Sequence, residues 1–330
     1  MRAALLLALV IAIFGGCSSK EYFEPQVVHE DEWPIQGYMS APIVDSTADG
    51  AVLEDGKIIT KKGLGTLTLP PEYQYVGTSG GWIIASQING DLLLSSVSDS
   101  NQTQLLHLKR TIAAASVKGD VIAVLFVNND MALYSLASKE LLFKEQGNAP
   151  IVVDVRIVNP SFLGNLVLFL TLDGKIVIID SDAKQLLRSM IVSSEEYFNN
   201  IIYFNVIKNN MVAATGNQLF VLSGKERRQK YELRDVIYTD KGIWISTKQG
   251  EVIKLTPSLQ LEAKQKFPFA HFLGMILTDD KIFLLEKEGY LIVLDSDLSA
   301  YDIHEIDLDE GYVFVTDKAF YVNDQIISIE

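Results

Sequence analysis

Short apolar segments separated by turn residues recur along most of the chain. In FLTLDGKIVIID (169–180), two apolar runs rich in β-branched residues flank an Asp-Gly pair. β-Branched residues favour strands, and Asn, Asp and Gly supply the positive φ angles of tight hairpin turns. Segments with this pattern lie at 55–70, 80–97, 119–136, 164–181, 209–224, 241–256, 280–295 and 317–330. The pattern predicts eight β-hairpins.

Most of the predicted hairpins have two companion strands, so the repeating unit is four-stranded. An apolar run precedes the hairpin at 112–117, 151–158, 201–207, 235–239, 272–278 and 311–316. A more polar run follows it at 104–109, 140–146, 185–192, 228–233 and 263–269. From the second hairpin onward, successive turns are 34 to 44 residues apart. Four-stranded units near this period are typical of β-propellers.

The strand polarity agrees with a closed ring of such units. Strands covered on both faces by neighbouring blades read as continuous apolar runs, as in VIAVLF (121–126). We predict an all-β fold: a single β-propeller of eight four-stranded antiparallel blades, closed between the N- and C-terminal segments. The last unit has three strands, and a strand from 35–44 would complete it. Seven blades is the alternative, because the first unit (48–70) lacks a clear fourth strand.

The first residues have the pattern of an export signal. MRAALLLALVIAIFGGC (1–17) has one charge, at Arg2, followed by an apolar run shorter than the roughly 20 residues of a membrane-spanning helix. The small residues before Cys17, the only cysteine, resemble the cleavage site of bacterial lipoproteins. We therefore predict a signal peptide at 1–16 and a lipidated Cys17. An acidic tether at 17–45 and a propeller at 46–330 are predicted to follow.

The net charge narrows the class of partner. The chain has 28 Lys and Arg residues against 42 Asp and Glu residues, which gives a formal net charge of −14. Binding to nucleic acid depends on a basic surface that displaces counterions from the phosphates, so this composition argues against it. The charge favours solubility, or a protein partner with a basic patch.

Residue patterns for catalysis or metal binding are weak. The four histidines, His29, His107, His271 and His304, are too far apart in sequence for a zinc-type motif. The chain has no glycine-rich phosphate loop and no nucleophile elbow. We therefore predict that the protein is not an enzyme and has no catalytic, cofactor-binding or metal-binding residues.

Four polar segments are interpreted as turns rather than as sites. Residues 180–182 and 295–297 are both Asp-Ser-Asp, and a calcium loop would need more oxygen ligands and a glycine in register. Asp and Ser side chains also bind turn backbone groups directly. The basic KERRQK (225–230) and the acidic DLDEGY (307–312) are predicted to be solvated turns at blade edges. Either of these two could instead belong to a partner surface.

Two of the repeats carry a resemblance to a known class. LTLDGKIVIIDSDAKQLL (170–187) and LLEKEGYLIVLDSDLSAYDI (284–303) resemble PQQ-type propeller repeats. Quinoprotein enzymes of that class carry a stacking tryptophan, calcium ligands and a catalytic aspartate in long insertions, and this chain has no such insertions. A lipid-anchored propeller without a cofactor resembles the BamB family of the outer-membrane barrel-assembly machinery.

The resemblance to the BamB family implies a function and a place in the cell. It implies a monomeric scaffold on the periplasmic face of the outer membrane, bound to an envelope protein such as an outer-membrane assembly factor. Ser18 after Cys17 agrees with the outer membrane by the same resemblance to lipoproteins. The alternatives are a ligand-binding or envelope-sensing propeller that uses its central channel, and a degenerate quinoprotein-type enzyme.

Replacing Cys17 tests the predicted lipid anchor. We expect Cys17→Ala to remove the acyl label and to move the protein from the membrane to the soluble fraction. The reason is that each CH₂ of the buried acyl chains contributes about 0.8 kcal/mol to membrane binding. Fractionation of cells that express the variant measures this shift, and unchanged retention on the membrane would contradict lipidation.

Overall fold

The computed structural model describes residues 21–99 and 101–329, and these residues form an all-β fold. Their 32 strands are arranged in eight four-stranded sheets, each of which is one propeller blade. The described residues contain no helix, and thus no helix that could cross a membrane. The predicted all-β propeller of eight blades is confirmed.

Each of the first four blades runs from an inner strand to an outer strand. Blade 1 consists of β2 (Ile43–Ser46), β3 (Gly50–Leu53), β4 (Lys57–Thr60) and β5 (Gly63–Thr68). Blade 2 consists of β6 (Gln74–Ser79), β7 (Trp82–Ser86), β8 (Asp91–Ser96) and β9 (Thr103–His107). Blade 3 consists of β10 (Ile112–Lys118), β11 (Val121–Phe126), β12 (Met131–Ser135) and β13 (Leu141–Glu145). Blade 4 consists of β14 (Ser161–Leu163), β15 (Leu166–Leu170), β16 (Lys175–Asp180) and β17 (Gln185–Ile191).

The last four blades follow the same order, except that blade 8 takes its outer strand from the N-terminal segment. Blade 5 consists of β18 (Tyr203–Ile207), β19 (Asn210–Ala214), β20 (Gln218–Ser223) and β21 (Lys225–Lys230). Blade 6 consists of β22 (Leu233–Thr239), β23 (Gly242–Thr247), β24 (Glu251–Leu255) and β25 (Leu261–Lys266). Blade 7 consists of β26 (Phe272–Leu277), β27 (Lys281–Glu286), β28 (Tyr290–Asp295) and β29 (Tyr301–Glu305). Blade 8 consists of β30 (Val313–Val315), β31 (Ala319–Val322), β32 (Gln325–Ser328) and β1 (Gly37–Tyr38).

The ring closes at blade 8. Strand β1 pairs antiparallel with β32, with Gly37 opposite Ile326. On the axial side, the inner strand β2 of blade 1 contacts the inner strand β30 of blade 8. The outer strand predicted from 35–44 is therefore found, and the seven-blade alternative is wrong.

The hydrophobic core is divided into eight clusters, one between each pair of adjacent blades. Strand β11 contributes to two of them. Ile122, Val124 and Phe126 pack toward blade 2, whereas Ala123 and Leu125 pack toward blade 4. Successive side chains of a strand point to opposite faces. Both faces of these strands are buried, which explains their continuous apolar sequence.

The direction of the chain distinguishes two faces of the ring. All inner strands begin at the same face, which we call the upper face. It carries the turns between second and third strands and the connections from blade to blade, and the lower face carries the other turns. The upper turns are tight. Gly90 has a φ of 91°, and a Cβ at this position would overlap the backbone of Arg110.

Residues 21–42, within the predicted tether (17–45), lie along blades 6, 7 and 8. Phe23 is 5% exposed, and its ring packs edge-on against Tyr290 with the centroids 5.6 Å apart. The segment then follows strand β29 and becomes β1. The part of the tether that the structure describes is thus packed on the propeller. Cys17 and the predicted signal peptide lie outside the described residues.

Two predicted elements differ from the structure. Residues 151–158, predicted as a strand, are irregular, and the inner strand of blade 4 is the shorter β14 that follows Pro160. Proline has no N–H group and cannot donate within a sheet ladder. Residues 225–230, predicted as a turn, form the outer strand β21, which pairs with β20 along its whole length and begins three residues before the outer strand predicted at 228–233. Its polar residues face solvent at the rim, and this exposure gives them a turn-like composition.

In blade 1, the predicted hairpin corresponds to a different pair of strands than in the other blades. The turn at Gly56 joins β3 to β4, so residues 55–70 contain the third and fourth strands of the blade. The inner strand β2 lies upstream of 48–70, so that unit contains three strands of the blade.

Replacing Trp33 tests whether the N-terminal segment stabilises the ring. Its indole Nε1 donates to the Ser328 carbonyl at 3.0 Å, and its ring packs against Phe283 and His304. We expect Trp33→Ala to lower the free energy of unfolding by about 2–3 kcal/mol, because it removes buried apolar surface and a hydrogen bond. The matched Tyr38→Ala, at an exposed position on β1, should change it by at most about 0.5 kcal/mol.

Urea denaturation of the two variants measures this difference. Equally small losses in both would contradict a stabilising role for the segment.

Candidate protein-interaction face

Large apolar side chains are exposed on the loops of the upper face. They are Ile88, Val127, Ile151, Val152, Val155, Tyr197, Phe198, Phe269 and Tyr312. Among the described residues, the loops of the lower face expose one such side chain, Val97. Apolar surface that water contacts in the monomer is typical of interaction sites. The upper face is therefore the candidate interaction face.

Five of these side chains form what we call the apolar patch: Ile151, Val152, Val155, Tyr197 and Phe198. They lie on the two longest connections between blades, at 146–160 and 192–202. The Phe198 N–H donates to the Val152 carbonyl at 3.1 Å, which joins the two connections. Val155 is 82% exposed. The patch therefore spans the entrances to blades 4 and 5.

Asn200 holds the connection that carries most of the patch. It is fully buried, and its Oδ1 accepts the Asp154 N–H at 2.6 Å. Its Nδ2 donates to the carbonyls of Asp154 and Arg156, at 3.1 and 3.2 Å. These bonds satisfy backbone groups that a regular strand would pair in a ladder. The irregular segment is thus fixed in place, with Val155 on its outer side.

Arg156 ties the same connection to blade 6 across the central channel. Its Nε and Nη2 donate to the two carboxylate oxygens of Asp154, at 2.9 and 2.7 Å, and its Nη1 donates to the Arg234 carbonyl. Burial favours the neutral form of Asp154, but the hydrogen bonds and charge of Arg156 outweigh it and lower the pKa of Asp154. The ion pair is therefore retained at neutral pH.

Asn159 links several blades deeper in the channel. Its Oδ1 accepts the Ala115 N–H at 2.9 Å, and its Nδ2 donates to the Val76 carbonyl at 2.8 Å and to the Asp49 carboxylate. Burial raises the pKa of Asp49, and the hydrogen bond from Asn159 partly offsets this. One side chain from the entrance to blade 4 thus binds blades 1, 2 and 3.

Two further charged residues lie farther along the channel. Lys61, on the lower face of blade 1, donates to the Val315 carbonyl at 3.2 Å. Burial lowers the pKa of Lys61, and the charges of Asp235 and Asp49 oppose this. Burial also raises the pKa of Asp235, which accepts two backbone N–H groups at 2.8 and 3.2 Å. The channel is polar, and its side chains are bonded to backbone groups of the inner strands and, at Asp154–Arg156 and Asp49–Asn159, to one another.

The candidate residues from the sequence do not converge on a site. His29 and His304 do meet, with stacked rings 4.6 Å apart, but on the N-terminal segment and β29. His107 lies 2.7 Å from Asp91. Asp180 ends β16, and residues 181–182 begin the turn that follows, close to the prediction. No group of three or more His, Cys, Asp or Glu side chains in the described part of the chain could hold a metal ion.

The charged residues of the channel were missed at the level of sequence. Arg156, Arg234 and Asp235 lie in IVVDVRIV (151–158) and LRDVIYT (233–239), which look like ordinary inner strands with charged interruptions. Those interruptions were the available signal, because a strand covered on both faces has no place for a charge except toward the axis.

Comparison with known proteins gives one sequence relative and several similar folds. No protein-family model matches the chain. Its sequence is similar to the plasminogen-binding protein PgbB of Helicobacter pylori, with 27% identity in strain J99 and 26% in strain 26695. Both alignments cover 96% of this chain and 69% of the relative.

Among solved structures, BamB from Moraxella catarrhalis has a TM-score of 0.65 at 13% identity, over 91% of this chain and 95% of that chain. The C-terminal WD40 domain of Sif2 has a TM-score of 0.62 at 14% identity, over 93% of this chain and 100% of that chain. The computationally designed protein Ika8 has a TM-score of 0.59 at 15% identity, over 90% of this chain and 99% of that chain.

These likenesses differ in what they establish. At such low identities, the structural matches show the fold alone, and the predicted resemblance to BamB is confirmed at that level. The sequence relative is a bacterial protein named for binding another protein. Together with the exposed upper face, these findings support a propeller that takes part in protein interactions.

Proposed function

We propose that this chain is a lipid-anchored scaffold of the bacterial cell envelope that binds a protein partner through its upper face. The observation that carries the proposal is the apolar patch, which is exposed on two connections that buried side chains hold in place. An apolar surface on a rigid support can bind a partner without the cost of ordering a loop. The net charge of −14 adds a preference for a partner with a basic surface around an apolar centre.

The proposed lipid anchor would hold the upper face of the propeller close to the membrane. Four peptide units separate Cys17 from Glu21, so a lipidated Cys17 would lie within about 14 Å of Glu21. Tyr22 and Glu21 line a groove on the upper face with Phe269, and Phe23 is buried directly after them. The upper face would therefore lie close to the membrane. A partner on it would be a membrane-embedded or membrane-adjacent protein, and we propose the periplasmic face of the outer membrane as the location.

An outer-membrane assembly factor is the proposed class of partner, by the resemblance to BamB. Plasminogen is the second candidate, because the sequence similarity to a plasminogen-binding protein extends over 96% of this chain. The two candidates can be compared directly on the same protein.

A double variant of the patch tests the proposal. Ile151→Ser and Val155→Ser together should reduce recovery of the partner from detergent-solubilised membranes at least tenfold. The reason is that burial of each such side chain contributes about 1.5–3 kcal/mol. The matched control is Leu186→Ser with Leu187→Ser, which removes two exposed apolar side chains from the outer strand β17. Affinity purification with quantitative mass spectrometry measures the recovery, and immobilised plasminogen forms a parallel arm.

The outcomes separate the candidates. Loss of an outer-membrane assembly factor in the patch variant alone supports the scaffold, and loss of plasminogen alone supports the second candidate. Equal recovery of every specific partner by wild type, patch variant and control would exclude the apolar patch as the binding surface.

A further inference from the structure

Arg234 is a cationic side chain without a bonding partner at the upper end of the channel. It is the second residue of β22, the inner strand of blade 6, and inner strands begin at the upper face. Its Nε is buried and has no hydrogen-bond partner among the described residues. A buried N–H group without a partner is destabilising, and more so if it is charged. Such a group can donate to a hydrogen-bond acceptor of a bound ligand.

The carboxylate of Asp154 does not pair with Arg234, because it is already paired with Arg156. The guanidinium of Arg156 is occupied, because it donates to both oxygens of Asp154 and to the backbone carbonyl of Arg234. Burial lowers the pKa of Arg234, and the charge of Arg156 adds to this, while Asp154 acts in the opposite direction. Two guanidinium groups thus share the mouth of the channel, and only one of them has a paired carboxylate.

The other nearby charges leave the mouth cationic. Lys248, on the adjacent upper turn of blade 6, is close enough for its charge to lower the pKa of Asp154. Asp235 is bonded to the backbone N–H groups of Val236 and Met275 and not to Arg234. Glu232, two residues before Arg234, also carries a negative charge, and its carboxylate accepts from the side chain of Gln249. Apart from Glu232, Arg156, Arg234 and Lys248 outnumber Asp154 and Asp235 by one positive charge, in a protein whose net charge is strongly negative.

We propose that the upper mouth of the channel is a carboxylate-binding site in which Arg234 binds the ligand and Arg156 and Lys248 add positive charge. A guanidinium offers parallel N–H groups that match the two oxygens of a carboxylate. This inference rests on the proposed function, since the carboxylate belongs to an acidic residue of the protein bound on the upper face. Val155 of the apolar patch lies between Asp154 and Arg156 in the chain, so a segment on the patch is beside the mouth.

Nuclear magnetic resonance of the arginine side chains tests the site in the full-length protein. The probes are a capped pentapeptide with one central glutamate, the same peptide with glutamine, and sodium acetate. We expect the Nε–Hε signal of Arg234, assigned by its loss in Arg234→Lys, to shift saturably with the glutamate peptide and not with the glutamine peptide. Acetate distinguishes a carboxylate on a protein from a free small carboxylate. If acetate binds more weakly than the glutamate peptide, the ligand is a protein segment. If the two bind equally, the site is for free small carboxylates.

Variants give a second, independent measurement. Arg234→Gln should weaken binding of the glutamate peptide at least tenfold, and Arg188→Gln, which removes an arginine from the outer strand β17, should leave it unchanged. Identical shifts with the glutamate and glutamine peptides in wild type would overturn the proposal whether or not the variants fold. If the glutamate peptide fails to bind while the patch variant still loses its membrane partner, the carboxylate site is wrong and the scaffold function stands.

Discussion

The structure depends on the burial of both faces of every blade. A four-stranded sheet of this composition is apolar on two sides, and each of the eight core clusters belongs to two neighbouring blades. An isolated blade would expose both sets of side chains to water, which costs about 25 cal/mol for each Å² of apolar surface. An open row of blades would still expose the apolar side chains of one blade face at each of its two ends. The ring must therefore close, and the cluster between blades 1 and 8 is where it does.

Closure links the architecture to the proposed position in the cell. The outer strand of blade 8 comes from residues near the N-terminus, and the preceding segment is held by Phe23 and Trp33. The contacts that complete the ring thus also fix where the chain leaves it, at the upper face between blades 6 and 7. That face also carries the apolar patch and the cationic mouth at Arg234, so the proposed anchor and the proposed binding surfaces lie on one side of the molecule.

Much of the fold could be predicted from sequence, because two-sided burial leaves a strong signal in the inner strands. The turn spacing gave the blade count, and the three-stranded last unit pointed to the N-terminal strand. Two segments gave a weaker or misleading signal. Strand β21 is polar because it lies at the rim, and residues 151–158 are apolar enough for a strand but are diverted by Pro160 and by the side chain of Asn200. The apolar patch was the least predictable feature, because Val155 is exposed only as a result of the irregular course of residues 151–158.

Native-state hydrogen exchange at the N-terminal strand tests closure most directly. The Gln36 N–H donates to the Ile326 carbonyl at 2.9 Å, and the Met39 N–H donates to the Asp324 carbonyl at 2.6 Å. If these bonds close the ring, both amides should exchange in the same slow class as those of the paired strands β31 and β32, because they open only when the blade does. Exchange at the rate of an unprotected chain at Gln36 and Met39, with β31 and β32 still protected, would contradict ring closure by this segment.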